Sequence, residues 1–166
     1  MDLVIAMVEQ HQHVLRQLIA SAGMLDADRL DRPIELSVEG VDDHPTIRFL
    51  LARLVGQMAM WNASMASMPY DFDAERWQSL ATIGSVFDVQ SPQFLDRVRD
   101  VATGNRLAET FVDATCTPAR VFSYGGMIAH VLTYAAHRRT LVTGALASAG
   151  LPIDDDPIGW VTRPTD

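Results

Sequence analysis

The sequence predicts an all-α protein built as a four-helix bundle, with a long connection after the first helix and an irregular C-terminal tail. Three observations predict it. Apolar residues step at three and four along four separate stretches, Pro- or Gly-bearing segments punctuate the gaps, and no stretch shows the alternation of a strand. The 166 residues are the size of one domain, divided as 1–150 for the bundle and 151–166 for the tail. A chain of this length buries roughly 70% of its unfolded surface, so stability requires neither disulfide nor metal.

The first helix is expected from Leu3 to Gly23. Val4, Met7, Val8, Val14, Leu15, Leu18 and Ile19 form its stripe, interrupted by Gln10-His11-Gln12-His13, with Asp2 placed to cap the start and Gly23 the end. Asp26 to Val41 is connecting sequence, because Pro33 and Gly40 interrupt any long helix. Pro45, preceded by Asp43 and His44 as N-cap candidates, suits the first turn of a second helix. That helix steps through Ile47, Leu50, Leu51, Leu54, Val55, Met58 and Trp61, fades near Ser67 and ends at Met68-Pro69-Tyr70-Asp71. Asp71 to Ser91 carries the weakest pattern, a short helix over Ala74 to Ile83 and then loop.

Ser91-Pro92 repeats the N-cap and first-turn pairing and opens a third helix through Phe94, Leu95, Val98 and Val101 to Thr103. Arg106 to Cys116 is either a further turn of helix or an extended link, closed by Thr117-Pro118. Tyr124-Gly125-Gly126 opens the longest pattern, running through Met127, Ile128, Val131, Leu132, Ala135, Leu141, Val142 and Leu146 to Gly150, a C-cap glycine. In the tail, Pro157, Ile158 and Trp160 are expected to dock on the bundle.

Charge and composition exclude several functions. The net charge is −8, from 13 basic and 21 acidic side chains, and every basic residue is Arg. No basic run exists, which argues against a nucleic-acid partner. Cys116 is the single cysteine, so no intrachain disulfide forms, in keeping with a reducing compartment. The opening residues are apolar for only a short distance and lack a signal peptide's regions, and no apolar run approaches the roughly 20 residues of a membrane span. A cytoplasmic protein without membrane contact is expected. There is no Gly-rich phosphate loop, Cys-x-x-Cys pair or Ser nucleophile elbow.

The side chains that could carry chemistry concentrate on the last helix, His130-Val131-Leu132-Thr133-Tyr134-Ala135-Ala136-His137-Arg138-Arg139. At about 100° per residue His130, Tyr134 and His137 share one stripe within about 60°. The second helix offers Arg53, Gln57, Met60 and Ser64 at similar spacing, and a bundle could bring both stripes to one interior polar pocket. Structural readings stand beside this. Arg53 would pair with a carboxylate such as Glu109 or Asp113, or reach solvent along its own stem; His130 and His137 would be hydrogen-bonded core residues. His11 and His13 are expected at the surface, Cys116 as a small buried hydrophobe, and Met58, Met60, Met65 and Met68 as core or interface filler.

His130 to Gly150, HVLTYAAHRRTLVTGALASAG, resembles the last-helix signature of the DinB/YfiT-like family, with a His four residues before a His-Arg pair and a helix ending in Gly. Leu50-Leu51-Ala52-Arg53-Leu54-Val55 followed by Trp61 resembles the family's Leu-Leu-Ala-His-Leu segment, and the helix order extends the resemblance over most of the chain. The resemblance implies a bundle that binds a divalent metal through three histidines, one from the second helix and two from the last. Aligned without gaps, those positions are Arg53, Tyr134 and Arg138, while Arg139 and Gly150 match the family's Arg and Gly. A shift of one residue makes His137 a ligand but places Thr133 at its partner position and displaces Gly150. A guanidinium has no lone pair for a cation, so a degenerate site without cofactor is expected. The alternative is Zn or Ni on a site rebuilt from His130 and His137 with help from His11, His13 or His44. Those two histidines stand seven apart, about 10.5 Å along the axis, against four for paired helical ligands.

Three functional readings follow from different classes. The first is a metal-free DinB-like protein whose pocket at Arg53, Gln57, Tyr134 and Arg138 holds a small anionic or thiol-bearing molecule. The second is a thiol-dependent transferase or metal-dependent enzyme, with His130 or His137 as general base and Arg53 or Arg138 on the substrate anion. The third is a non-catalytic homodimeric interaction module.

Overall fold

In a computed structural model of the chain, residues 2–35 and 45–157 are described. Helix α1 spans Leu3–Ala22, and the Asp2 carboxylate accepts the Val4 and Ile5 backbone N–H groups as its N-cap. The Gly23 N–H closes the other end on the Ile19 carbonyl. The Gln10-His11-Gln12 interruption is buried, and His11 is fully enclosed, which corrects the expectation of a surface histidine. The two glutamines are accommodated because each amide finds a backbone acceptor: Gln10 donates to the Asp155 carbonyl at 3.2 Å and Gln12 to the Ser91 carbonyl at 2.8 Å.

A short helix α2 (Ala27–Leu30) follows, capped by Asp26. The connection returns along Pro33 and Ile34, whose N–H donates to the Pro45 carbonyl at 2.7 Å, and Arg48 makes a two-pronged ion pair with Asp31. Gly40, Asp43 and His44 lie outside the described residues. Helix α3 (Ile47–Met65) is capped by Thr46, whose hydroxyl accepts the Phe49 N–H, so Pro45 stands before the cap rather than in the first turn. Ser67, at φ 55°, lets the Met68 N–H reach the Ala63 carbonyl and ends the helix. A left-handed serine costs roughly 1–2 kcal/mol. Ser67→Gly removes that cost against a smaller loss of chain entropy. The expected gain is about 0.5–1 kcal/mol, read as a midpoint a few degrees higher in thermal unfolding.

The weakest stretch of the sequence departs most from expectation. A 3-10 turn covers Asp73–Trp77, and helix α4 then runs unbroken from Leu80 to Thr103, capped by Ser79. Ser91-Pro92 does not start a helix but lies inside this one. Ile83, Phe87, Ser91, Phe94, Val98 and Val101 form one buried stripe across the proline, and that burial outweighs the ladder hydrogen bond Pro92 cannot make. Beside the proline, side chains from the other helices tie α4 down, Asn62 donating to the Gln90 carbonyl and Gln12 to the Ser91 carbonyl.

Arg106 to Cys116 contains strand rather than helix. Strand β1 (Thr110–Asp113) pairs antiparallel with β2 (Arg120–Ser123), which corrects the expectation of no strand. Each four-residue strand places its two apolar residues side by side, Phe111-Val112 and Val121-Phe122, so neither shows alternation in sequence. The Phe111–Phe122 pair nevertheless sets both rings against Trp61, with centroids 6.0 and 5.5 Å away. Helix α5 (Tyr124–Ser148) starts from the Ser123 cap, and Gly150 at φ 83° closes it while the Leu151 N–H donates to the Leu146 carbonyl. The protein is thus mostly helical. Helices α1 and α3 each pack against both α4 and α5, around a core of Leu15, Leu18, Leu50, Leu54, Met58, Phe87, Phe94, Val142 and Leu146. Met58 is core, Met60 and Met65 pack partly against it, and Met68 is exposed. Leu151 and Ile153 also reach the core, while Ile158 and Trp160 lie outside the described residues. No described helix is long and apolar enough to cross a membrane.

Candidate functional site

Arg53, Gln57 and Ser64 fall within about 40° of one another around α3, and Trp61 flanks them. Trp61 meets the His130 ring edge-on at 6.0 Å, while Ile47, at the opposite end of α3, lines the same cleft as Gly144 and Ala145. Helices α3 and α5 therefore run antiparallel, with Arg53 level with Arg138 and Gln57 level with Tyr134. The two stripes singled out in the sequence thus lie along one helix pair.

Each side chain has a defined setting. Arg53 forms an ion pair with Glu75 of the 3-10 turn, not with Glu109 or Asp113. Glu109 belongs to Arg106, and Asp113 accepts from Ser64, Thr115 and Cys116. Glu75 is 2% exposed, and the Tyr70 hydroxyl donates to its second oxygen at 2.6 Å. The carboxylate sits against Gly56, where any Cβ would overlap it. Burial, and then the Glu75 hydrogen bond and charge, push the Tyr70 phenol far above its ordinary range, so it remains a donor.

On α5, the buried Arg138 guanidinium lies over the Tyr134 ring at 4.8 Å, and the other ring neighbour of Tyr134 is His130, stacked at 4.9 Å. His130 is exposed rather than a core histidine. Partial burial, and then the Arg138 charge, lower its pKa, which keeps the ring neutral near pH 7. Gln57 Oε1 and Trp61 Nε1 are buried without a hydrogen-bond partner among the described residues. One is an acceptor and the other a donor, and both stand on the α3 face turned towards α5.

His137 falls outside this group of contacts: it is half-buried, and its Nε2 has no partner among the described residues. Arg139 packs towards α1 instead, its Nη1 donating to His11 Nδ1 at 2.9 Å. Cys116 is half-exposed, not fully buried, and its thiol donates to Asp113 at 3.3 Å. That bond, then burial, pushes the thiol pKa up and makes it a poor nucleophile. Burial raises the Asp113 carboxyl, but the hydrogen bonds from Thr115, Ser64 and Cys116 outweigh it and hold it low. Asp113 thereby ties the hairpin to α3.

The donors do not fit the divalent metal that the family resemblance implies. Arg53 is engaged by Glu75, and Tyr134 is stacked between an imidazole and a guanidinium. Among the described residues no group of three His, Cys, Asp or Glu side chains converges as ligands would. No family model, curated protein or solved structure matches this chain. The sequence offers Asp113 as a partner for Arg53 and gives no sign of Tyr70 and Glu75 beside it. Tyr70 and Glu75 straddle an irregular turn, so no helical or strand periodicity relates them.

Proposed function

We propose that this chain is a DinB/YfiT-like four-helix bundle that binds a small anionic or thiol-bearing molecule between α3 and α5 without a metal. The observation that carries the reading is the pair of buried, unpartnered groups Gln57 Oε1 and Trp61 Nε1. Each costs roughly 1–3 kcal/mol when left unpaired, and a ligand offering a donor and an acceptor would satisfy both. Arg138, one helical turn along α5 and over the Tyr134 ring, supplies positive charge, and Tyr134, 42% exposed, forms the outer wall. The Glu75–Arg53–Tyr70 cluster neutralises Arg53 and fixes the back of the site. Packing of α1, α3, α4 and α5 around one core supports the bundle.

Titration calorimetry with glutathione, which carries both carboxylates and a thiol, tests this. Binding is expected in the parent chain, with Gln57→Leu and Arg138→Gln each weakening it at least tenfold, or about 1.4 kcal/mol. Equal affinity in all three proteins would sink the reading. An enzymatic version of the same site makes the neutral His130 a general base towards the bound thiol, and requires turnover that His130→Gln removes. The homodimer reading draws on Val112 and Val121, cross-strand partners that are both exposed. Under it, light scattering should show a dimer that Val121→Arg dissociates, and a monomeric parent chain would exclude it.

A further inference from the structure

A second concavity lies further along α5. A cleft of about 770 Å3 opens between the last turns of that helix and the Arg29–Glu35 connection, with Ile47 of α3 at its base. None of Arg53, Gln57, Tyr134 or Arg138 lines it. Gly144 stands ten residues beyond Tyr134, about 15 Å along the helix axis. The volume falls within the range of small-molecule sites, roughly 300–1,000 Å3.

The lining has two chemically distinct parts. Ile34, Ile47 and Leu141 provide an apolar floor, and Gly144 deepens it, since a Cβ built there meets nothing within 4 Å. Arg29 and Arg32 stand at the cleft, and neither is in an ion pair with a described residue. Arg16, Arg48, Arg53, Arg99 and Arg106 hold carboxylates, whereas the two arginines at the cleft, like Arg97 and Arg120, hold none among the described residues. The Thr140 and Ser148 hydroxyls donate to the Ala136 and Gly144 carbonyls, so the guanidiniums are the available donors. Glu35 also lines the cleft, so two cations and one anion leave a single net positive charge.

We infer that this cleft binds an amphipathic monoanion, a carboxylate with an apolar tail, with the carboxylate on Arg29 and Arg32 and the tail over Gly144. Guanidinium forks match a carboxylate, and each methylene of an alkyl tail buried against the apolar floor strengthens binding further. The probe is 11-(dansylamino)undecanoic acid, followed by its fluorescence, with dodecanoate as competitor and dodecanol as the neutral control. One saturable site per chain is expected, displaced by dodecanoate far better than by dodecanol.

Gly144→Trp brings bulk into the cleft from a Cβ position that meets nothing within 4 Å, and it replaces glycine by a better helix former, so the variant should fold and bind at least tenfold more weakly. Arg29→Gln with Arg32→Gln should weaken the carboxylate at least tenfold while removing the preference over dodecanol, and this test stands even if the tryptophan variant is unstable. Absence of saturable binding, unchanged affinity in both variants, or loss of binding in Arg138→Gln in place of Gly144→Trp would overturn the assignment.

Discussion

Arg53→Ala is expected to lower stability by about 3–5 kcal/mol, well beyond an ordinary surface substitution. The asymmetry of the pair is the reason. The Glu75 side chain is 1% exposed and that of Arg53 30%, so removing the arginine strands a charge with no route to water. Among the described residues only the Tyr70 hydroxyl would still donate to it. Glu75→Gln removes the charge instead, keeps an acceptor for Tyr70 and leaves Arg53 able to reach solvent, so its cost should be about 1–2 kcal/mol. Replacing both partners, Arg53→Met with Glu75→Leu, should recover most of the loss. Urea denaturation of the three variants measures the order. Equal costs for the two single variants would refute a buried carboxylate as the source. Loss of binding in an Arg53 variant therefore reports on the wall of the site as well as on the ligand contact. Gln57 is the cleaner probe, because its buried Oε1 has no partner among the described residues to lose.

The second large effect is a loss of stability in mild acid. His11 is fully buried, and burial, with the Arg139 charge, depresses its pKa from 6.5 to about 3. A guanidinium only donates, so His11 Nδ1 is the acceptor in this contact and the ring is neutral. Unfolded, the same ring takes up a proton near pH 6.5. The unfolded state therefore binds more protons below that pH, and stability present above it is lost as pH falls towards 3. The expected slope approaches about 1.4 kcal/mol per pH unit between pH 6 and 4. His130, whose pKa is also lowered, adds in the same direction, and Asp113 adds at lower pH as its carboxyl protonates. His11→Gln keeps a neutral acceptor and should flatten most of the slope between pH 6 and 4. An unchanged slope would place the acid sensitivity elsewhere.

The helical regions were legible where one face is buried along the whole element. Leu3 to Ala22, Ile47 to Met65 and Tyr124 to Ser148 emerge from periodicity almost to the residue, because each carries a long apolar stripe and a side-chain cap. Helix α4 was read as half its length because Pro92 looked like a beginning. Its real start at Ser79 follows a turn with no periodic signal, and the contacts that hold the proline-bearing turn come from Asn62 and Gln12 on other helices, a long-range arrangement that no local rule reports. The hairpin was hidden because each of its strands sets its two apolar residues side by side.

At the site, the sequence brought out the two stripes on α3 and α5 but not what surrounds them. Arg53 was expected near Glu109 or Asp113, and its partner is Glu75, which lies 22 positions away in an irregular turn. His11 looked like a surface residue because glutamines flank it. The flanking glutamines are buried because Asp155 and Ser91 carbonyls arrive from distant parts of the chain, and His11 itself meets Arg139 of α5.

The central claim, that the α3 face carrying Gln57 and Trp61 takes a small ligand, is tested most directly by the Trp61 indole N–H resonance. In a nitrogen-15 correlation spectrum the three tryptophans give three indole signals, and Trp61→Phe identifies the one that matters. On addition of glutathione, the account predicts a saturable shift of that signal, with the same midpoint as the calorimetric titration and loss of the shift in Gln57→Leu. A Trp61 signal that stays in place at saturating glutathione, or one that moves equally in Gln57→Leu, would contradict it.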